Sequence, residues 1–175
     1  NILQLKILTI EGDLLTIGSH ALDSPGYDLL ALFTGSEGML GIIVEVTVKL
    51  LPKPPFSRVL LAAFDDIEKA GNSVAGIIAN GIIPSGREMM DKAGICAVED
   101  FIHAGYPVEA EATLLCELDG TEDEVLATIT KVEHLLNEYG ATEVRIARDE
   151  QESLRFWAGR KAAFPAVGRI SPDYY

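Results

Sequence analysis

The chain has 175 residues, of which 48% are hydrophobic and 23% charged, so it is long enough for one folded domain and part of another, and too apolar to be intrinsically disordered. Its 27 acidic and 14 basic residues give a net charge of −13, which argues against nucleic-acid binding because phosphate recognition needs a basic surface. No apolar stretch approaches the roughly 20 residues that a membrane span requires. Cys96 and Cys116 lack CxxC spacing, which favours a reduced, cytoplasmic protein.

Both ends of the chain are expected to lie inside a longer protein. The first residue is Asn1, with neither a Met nor a signal sequence, and apolar residues follow at once. The last residues are Tyr174 and Tyr175, whose large rings normally pack against other groups.

Residues 1–52 form one predicted block. Its pattern indicates a hairpin of strands 5–10 and 14–17, a short helix over 27–33, and a strand over 42–50 that is buried on both faces at one end. Residues 53–56 belong to a proline-rich stretch, which predicts a stiff connector and a domain boundary.

Strands and helices alternate from residue 57 onward. The predicted strands cover 59–64, 82–90, 112–118 and 142–147, and the predicted helices cover 67–79, 93–103, 121–139 and 150–164. Pro165 is expected to end the last helix. This order indicates an α+β fold in which helices cover one face of a sheet.

The most unusual local feature is a loop with a glycine at every third position, namely Gly35, Gly38 and Gly41, just before a predicted strand. Glycine adopts positive φ and allows a ligand or another backbone to come close. Two interpretations remain open from the residues alone: a tight turn between a helix and a strand, or a binding loop. The loop matches neither the P-loop nor the GxGxxG dinucleotide motif.

This loop lies within a longer segment, 27–43, which resembles the run D-L-x-x-L-F-x-G-S-E-G-x-L-G-I-I of the FAD-linked oxidases of the vanillyl-alcohol-oxidase superfamily. Segments 83–91, 156–165 and 168–175 resemble the substrate domain of that family, most of all in its branch of glycolate oxidase catalytic subunits and D-2-hydroxy-acid dehydrogenases. One departure is Gly86-Arg87, because the family usually has an apolar residue before the following glutamate.

The resemblance implies a domain order and a chemistry. Residues 1–52 would be the C-terminal part of the FAD-binding domain, 53–56 the connector, and 57–175 a truncated substrate domain with an antiparallel sheet. The full-length protein would use FAD to take a hydride from a small 2-hydroxy acid, of the glycolate or D-lactate type, and yield the 2-oxo acid. Other oxidase subunits or an electron acceptor would be its partners, and these subunits would hold it at the periphery of a membrane. The present chain alone would be inactive and free of flavin.

The resemblance also implies which residues contact FAD. They belong to the glycine loop and the start of the next strand, and would act mainly through backbone groups: Gly35, Ser36, Glu37, Gly38, Gly41, Ile42 and Ile43.

Arg160 is the strongest candidate for substrate binding. On a helix its neighbours three and four residues away are Phe156, Trp157, Ala163 and Phe164. An arginine among aromatic rings needs an anion, and the carboxylate of a 2-hydroxy acid supplies one that fits its bidentate fork. The alternative is a structural salt bridge to one of the many acidic residues. The resemblance favours substrate binding, because an arginine at this position binds the substrate carboxylate in related enzymes.

Two tyrosines at the end of the chain, Tyr174 and Tyr175, are further candidates for substrate binding, since a phenol can donate a hydrogen bond to substrate or line the flavin ring. The alternative is that they are ordinary core or surface residues. We assign no catalytic residue and no metal site, because His20, His103 and His134 lack the spacing of metal ligands.

A different class of function remains open, in which the chain is a non-catalytic α+β ligand-binding or regulatory module. That interpretation predicts an internal salt bridge at Arg160 and no neighbouring aromatic pocket.

Overall fold

A small antiparallel sheet forms the first of two units in the computed structural model, which describes residues 1–21 and 26–171. The units are Asn1–Lys53 and Pro54–Tyr175. The first unit contains β1 (Ile2–Leu8), β2 (Leu14–Gly18), α1 (Leu29–Phe33) and β3 (Ile42–Val48). Its strand order is β2-β1-β3, and Leu5, Ile7 and Ile17 form its buried core.

Strand β3 differs from the expectation of burial at one end. Six of its seven residues are exposed, among them Ile42 at 61% and Val44 at 52%. The strand lies at the edge of the sheet, and β1 is its only partner among the described residues. The described part of this unit therefore does not bury its apolar side chains.

The second unit is a four-stranded antiparallel sheet with four helices. Its elements are β4 (Phe56–Phe64), α2 (Ile67–Ala79), β5 (Gly86–Asp91), α3 (Lys92–Ile102), β6 (Ala112–Gly120), α4 (Glu122–Glu138), β7 (Glu143–Ile146) and α5 (Glu150–Val167). The strand order is β5-β6-β4-β7, with every neighbouring pair antiparallel. The predicted α+β class with an antiparallel sheet is therefore confirmed.

The helices cover both faces of this sheet, which corrects the expectation that they pack on one. Alternate residues of β4 point to opposite faces, so Leu61 packs with α3 and α5 while Leu60 packs with α2 and α4. The cause is visible in β4 and β6, whose central residues are buried without alternation, because each face has its own layer of helices.

The helix ends follow local signals with one exception. The Asp66 side chain caps α2, and Thr121 with Glu124 forms a capping box at the start of α4. Helix α5 does not end at Pro165 as expected but continues to Val167. Proline there removes only one hydrogen bond in the last turn, while Ala166, beyond it, is buried in the core.

Candidate functional site

The glycine loop joins α1 to β3 through two consecutive turns. The Ser36 amide donates to the Phe33 carbonyl at 3.1 Å, and the Met39 amide donates to the Ser36 carbonyl at 2.9 Å. The backbone has positive φ at Gly35 (82°) and Gly38 (82°), which explains the glycines there.

Gly41 has a different role from the other two glycines. A Cβ at this position would lie 2.7 Å from Ile7 Cγ2 and 3.1 Å from the Leu8 carbonyl oxygen, so glycine lets the chain pass close to β1. A Cβ at Gly35 or Gly38 would meet nothing within 4 Å. Close packing against β1 thus accounts for the glycine at position 41. Gly35 and Gly38 instead leave open space beside the backbone.

The loop fits a ligand with both polar and flat apolar parts, as FAD has. The Ser36 hydroxyl oxygen is buried and has no hydrogen-bond partner among residues 1–21 and 26–171. Met39 and Ile42, three and six residues further along the chain, are 85% and 61% exposed. A buried hydroxyl without a partner is a group that a bound ligand would satisfy.

In the second unit, Arg160 on α5 forms an ion pair with Glu88 on β5. Its Nε donates to Glu88 Oε2 at 3.1 Å, and its Nη2 lies 3.0 Å from the same oxygen. The Arg160 side chain is 35% exposed and that of Glu88 42% exposed. Glu88 lies opposite Leu115 in the sheet, on the face that α3 and α5 cover.

Trp157 lies one turn before Arg160 and packs on the strand that carries Glu88. A Cβ at Gly86 would lie 2.9 Å from Trp157 Cζ2, so only glycine admits the indole ring at this point. This contact explains the glycine at position 86, whereas nothing in the structure explains Arg87, which directly precedes Glu88. The Trp157 indole N–H is buried without a hydrogen-bond partner in the described part of the chain.

Tyr106 anchors α5 immediately before Arg160. Its hydroxyl donates to the Phe156 carbonyl, and its amide donates to the Glu99 carboxylate at 2.7 Å. Its ring fills the space beside Gly159, where a Cβ would lie 2.6 Å from Tyr106 Cζ. Burial raises the pKa of the Tyr106 phenol well above its ordinary value, so the hydroxyl stays protonated and remains a donor.

The aromatic surroundings predicted for Arg160 are only partly present. Phe156 is 3% exposed and lies in the core, whereas Phe164 is 65% exposed. Of the three predicted aromatic neighbours, Trp157 best fits a ring that lines a site at Arg160. The predicted substrate residues Tyr174 and Tyr175 lie outside the described residues.

Sequence reasoning missed the partnership between Arg160 and Glu88, and it missed Tyr106. A glycine inside a helix or strand is a signal of close approach, and Gly159 and Gly86 were the available signals. Glu88 lies in the segment 83–91 that resembles the family, but no local pattern pairs it with Arg160, which is 72 residues away in the chain.

Metal clusters and membrane-spanning helices are both absent from the part of the chain that the structure describes. No group of three or more His, Cys, Asp or Glu side chains there is placed to hold a metal ion. Among the same residues, none of the helices is both long enough and apolar enough to cross a membrane.

Curated relatives match the whole chain. It is 68% identical over 175 residues to "Glycolate oxidase subunit GlcD" of Escherichia coli (strain K12), covering 100% of the chain and 35% of that protein. It is 38% identical over 172 residues to the protein of the same name from Bacillus subtilis (strain 168), covering 98% and 37%. "D-lactate dehydrogenase [cytochrome], mitochondrial" of Arabidopsis thaliana is 29% identical over 175 residues, covering 99% and 30%. The chain thus spans about a third of the length of these relatives.

The fold is also present in a solved structure. p-Cresol methylhydroxylase with substrate bound matches with a TM-score of 0.62 at 16% identity, over 88% of this chain and 36% of that one. At this identity the likeness concerns the fold alone.

A family model described as "FAD linked oxidases, C-terminal domain" matches residues 53–175. The match covers well over half of the chain, confirms the resemblance that the motifs indicated, and makes FAD the cofactor of the family. The chain therefore belongs to the FAD-linked oxidases and carries their C-terminal domain.

Proposed function

We propose that the full-length protein is an FAD-dependent dehydrogenase or oxidase of a 2-hydroxy acid of the glycolate or D-lactate type, and that Arg160 binds the substrate carboxylate. The observation that supports this proposal is that the Arg160 guanidinium is only partly paired. One oxygen of Glu88 contacts one edge of it, and the remaining N–H groups of the guanidinium have no partner among the described residues. A guanidinium that is one-third exposed and only partly paired is suited to a bidentate contact with a second carboxylate.

The proposal assigns the two units different tasks. Residues 1–52 contribute the edge of the FAD-binding domain, residues 53–56 connect it, and residues 57–175 contribute the substrate domain. Backbone groups of Gly35, Glu37, Gly38 and Gly41, the Ser36 hydroxyl, and the side chains of Ile42 and Ile43 would hold part of the flavin. When bound, FAD supplies the acceptor for the hydride from C2 of the hydroxy acid.

In the substrate domain, this chain's own residues bind and orient. Arg160 fixes the carboxylate of the acid, and thereby the position of the adjacent C2. Tyr106 and Gly159 hold the backbone from which Arg160 extends, and the Trp157 ring provides an apolar wall one turn away. Tyr174 and Tyr175 are assigned to the same site, as hydrogen-bond donors to substrate or as part of its lining.

The proposal also covers partners and location. The name of the GlcD relatives is that of a subunit, and this supports assembly with other oxidase subunits, which would pass electrons onward and hold the protein near a membrane. Cys96 and Cys116 are both free thiols, which supports the cytoplasm as its compartment.

A second candidate is the non-catalytic module, because the ion pair between Arg160 and Glu88 is what that interpretation predicted. The indole of Trp157, one turn before Arg160, has a buried N–H without a partner among the described residues, and this favours the substrate site instead.

The experiment that separates the two is Arg160→Ala in the full-length, FAD-loaded protein. Removing the contact to the substrate carboxylate should cost about 2–5 kcal/mol, or roughly 30- to several-thousand-fold in kcat/KM for glycolate or D-lactate. Arg160→Lys should recover only part of the loss, because an ammonium group lacks the planar fork.

The matched control is Arg155→Ala, on the same helix, where a 64% exposed arginine lies 3.6 Å from Glu152. It should leave kcat/KM unchanged, since exposed ion pairs contribute little. An Arg160→Ala protein that turns over normally but melts at a lower temperature would identify Arg160 as structural and support the second candidate.

A further inference from the structure

The Arg160–Glu88 pair uses only one edge of the guanidinium. Nε and Nη2 both approach Glu88 Oε2, at 3.1 and 3.0 Å, so one oxygen accepts from the side edge of the fork. A guanidinium has five N–H groups in a fixed plane. The end edge, formed by Nη1 and the second N–H of Nη2, has no hydrogen bond to any residue of the described ranges 1–21 and 26–171.

The backbone of Glu88 is held by the sheet rather than by a loop. Glu88 lies within β5, where its backbone is in register with Leu115 of β6. Three residues later, Asp91 caps α3 by accepting a hydrogen bond from the Gly94 amide at 2.9 Å. The backbone of this segment is therefore fixed at both positions, and the Glu88 side chain reaches Arg160 from it.

We propose that Glu88 is a positioning residue for substrate binding: it holds the side edge of the Arg160 fork and so directs the end edge toward the carboxylate of the hydroxy acid. The inference rests on the proposed function, in which Arg160 binds that carboxylate. Glu88 need not touch substrate, because it acts through the guanidinium plane.

The structure gives less support to the opposite effect, in which Glu88 competes with the substrate carboxylate for Arg160. Glu88 occupies the side edge only, so a second carboxylate finds the end edge free. Both side chains are more than one-third exposed, and water screens the repulsion between the two carboxylates. Ordering a long, flexible arginine before substrate arrives lowers the entropic cost of binding, and this gain is not screened.

The test uses the full-length, FAD-loaded protein with Glu88→Gln and Glu88→Ala. In Glu88→Ala, kcat/KM for glycolate or D-lactate should fall roughly 10- to 50-fold, with most of the change in KM. Glu88→Gln should lose less, because its amide oxygen still accepts from the side edge of the fork while the charge is gone. The melting temperature should stay close to that of the parent, since an exposed pair contributes little stability.

Two further variants make the test specific. Glu111→Gln removes the charge from another ion pair of similar exposure, in which Glu111, just before β6, lies 2.7 Å from Lys92 of α3. It should leave KM unchanged. In an Arg160→Ala background, Glu88→Gln should cause no further loss, because a residue that acts through Arg160 has nothing left to position.

Three results would overturn the inference. A lower KM in Glu88→Gln would show that Glu88 competes with substrate, and an unchanged KM in both Glu88 variants would show that the pair is only structural. An additional loss in the Arg160→Ala background would show that Glu88 acts independently. If Arg160→Ala itself keeps full activity, the proposed carboxylate site fails as well, so the two failures are distinguishable.

Discussion

At the scale of single residues, Cys116 is a buried thiol whose ionisation should control stability at high pH. It lies in β6 with no exposed surface, and burial raises the pKa of its thiol to about 12, with Arg87 opposing the shift. An unfolded cysteine ionises near pH 9, so the folded state holds its proton more tightly between pH 9 and 12. The contribution of the Cys116 thiol to the free energy of unfolding is fully present below pH 9. Above pH 9 it should fall by about 1.4 kcal/mol per pH unit.

The measurement is urea unfolding of the purified chain between pH 8 and 11, with Cys116→Ala beside the parent. The variant should be less stable at pH 8, because it leaves a small cavity, yet its stability should fall less steeply above pH 9. Thr113→Val, at a buried position of the same strand without an ionisable group, is the control and should keep the parent's slope. Equal slopes for the parent and Cys116→Ala would contradict the assignment.

The residue scale is also where sequence reasoning reached its limit. The assignment of Arg160 to substrate binding stays a prediction, which rests on its residue type, its helical neighbours and the family resemblance. The ion pair of Arg160 with Glu88 depends on where α5 packs on the sheet. Glu88 is 72 residues away in the chain, and no local sequence pattern links the two residues. The same holds for Tyr106, whose hydroxyl bonds to the carbonyl of Phe156, 50 residues away.

At the scale of elements, two glycines in α2 should respond oppositely to the same substitution. Gly71 is exposed, and a Cβ there would meet nothing within 4 Å. Gly71→Ala should therefore stabilise the chain by about 0.5–1 kcal/mol, through helix propensity and a less flexible unfolded state. At Gly76 the new Cβ would overlap the ring of Tyr139, so Gly76→Ala should destabilise by about 1–3 kcal/mol.

Thermal unfolding of the two variants tests this pair directly, each serving as the other's control within one helix. The melting temperature should rise for Gly71→Ala and fall for Gly76→Ala. A rise for both would mean that the Tyr139 ring moves aside without loss of packing.

Elements with strong local signals were predicted well. Helix α2 was predicted over 67–79 and runs from Ile67 to Ala79, because a regular apolar spacing marks it. Helix α5 was ended too early at Pro165, since the burial of Ala166 is a tertiary effect that overrides a local breaker. The strand β5 begins later than predicted, at Gly86, because pairing with β6 rather than composition sets its start.

At the scale of the whole molecule, the two units differ strongly in the size of their cores. The first unit buries three hydrophobic residues in its described part, whereas the second has two buried clusters of thirteen residues each. Apolar burial is the main source of folding free energy, so the first unit should open far more often than the second.

Hydrogen exchange followed by mass spectrometry on the 175-residue chain measures this difference. Amides of β1 and β3 should exchange well before those of β4 and β6, the central strands of the second unit. Equal protection in both sheets would show that the first unit gains stability from something other than its own core.

The alternation of side chains between the two faces of β4 determines how substitutions in this domain combine. Leu60 and Leu61 are adjacent in sequence, yet each belongs to a different packing cluster, and only backbone separates the two. Substitutions under α2 and α4 should therefore combine additively in free energy with substitutions under α3 and α5. Under the proposed function, Arg160 and Glu88 lie on the α3 and α5 side, so substitutions in the opposite layer, including those that raise the melting temperature, should leave kcat/KM for the hydroxy acid unchanged.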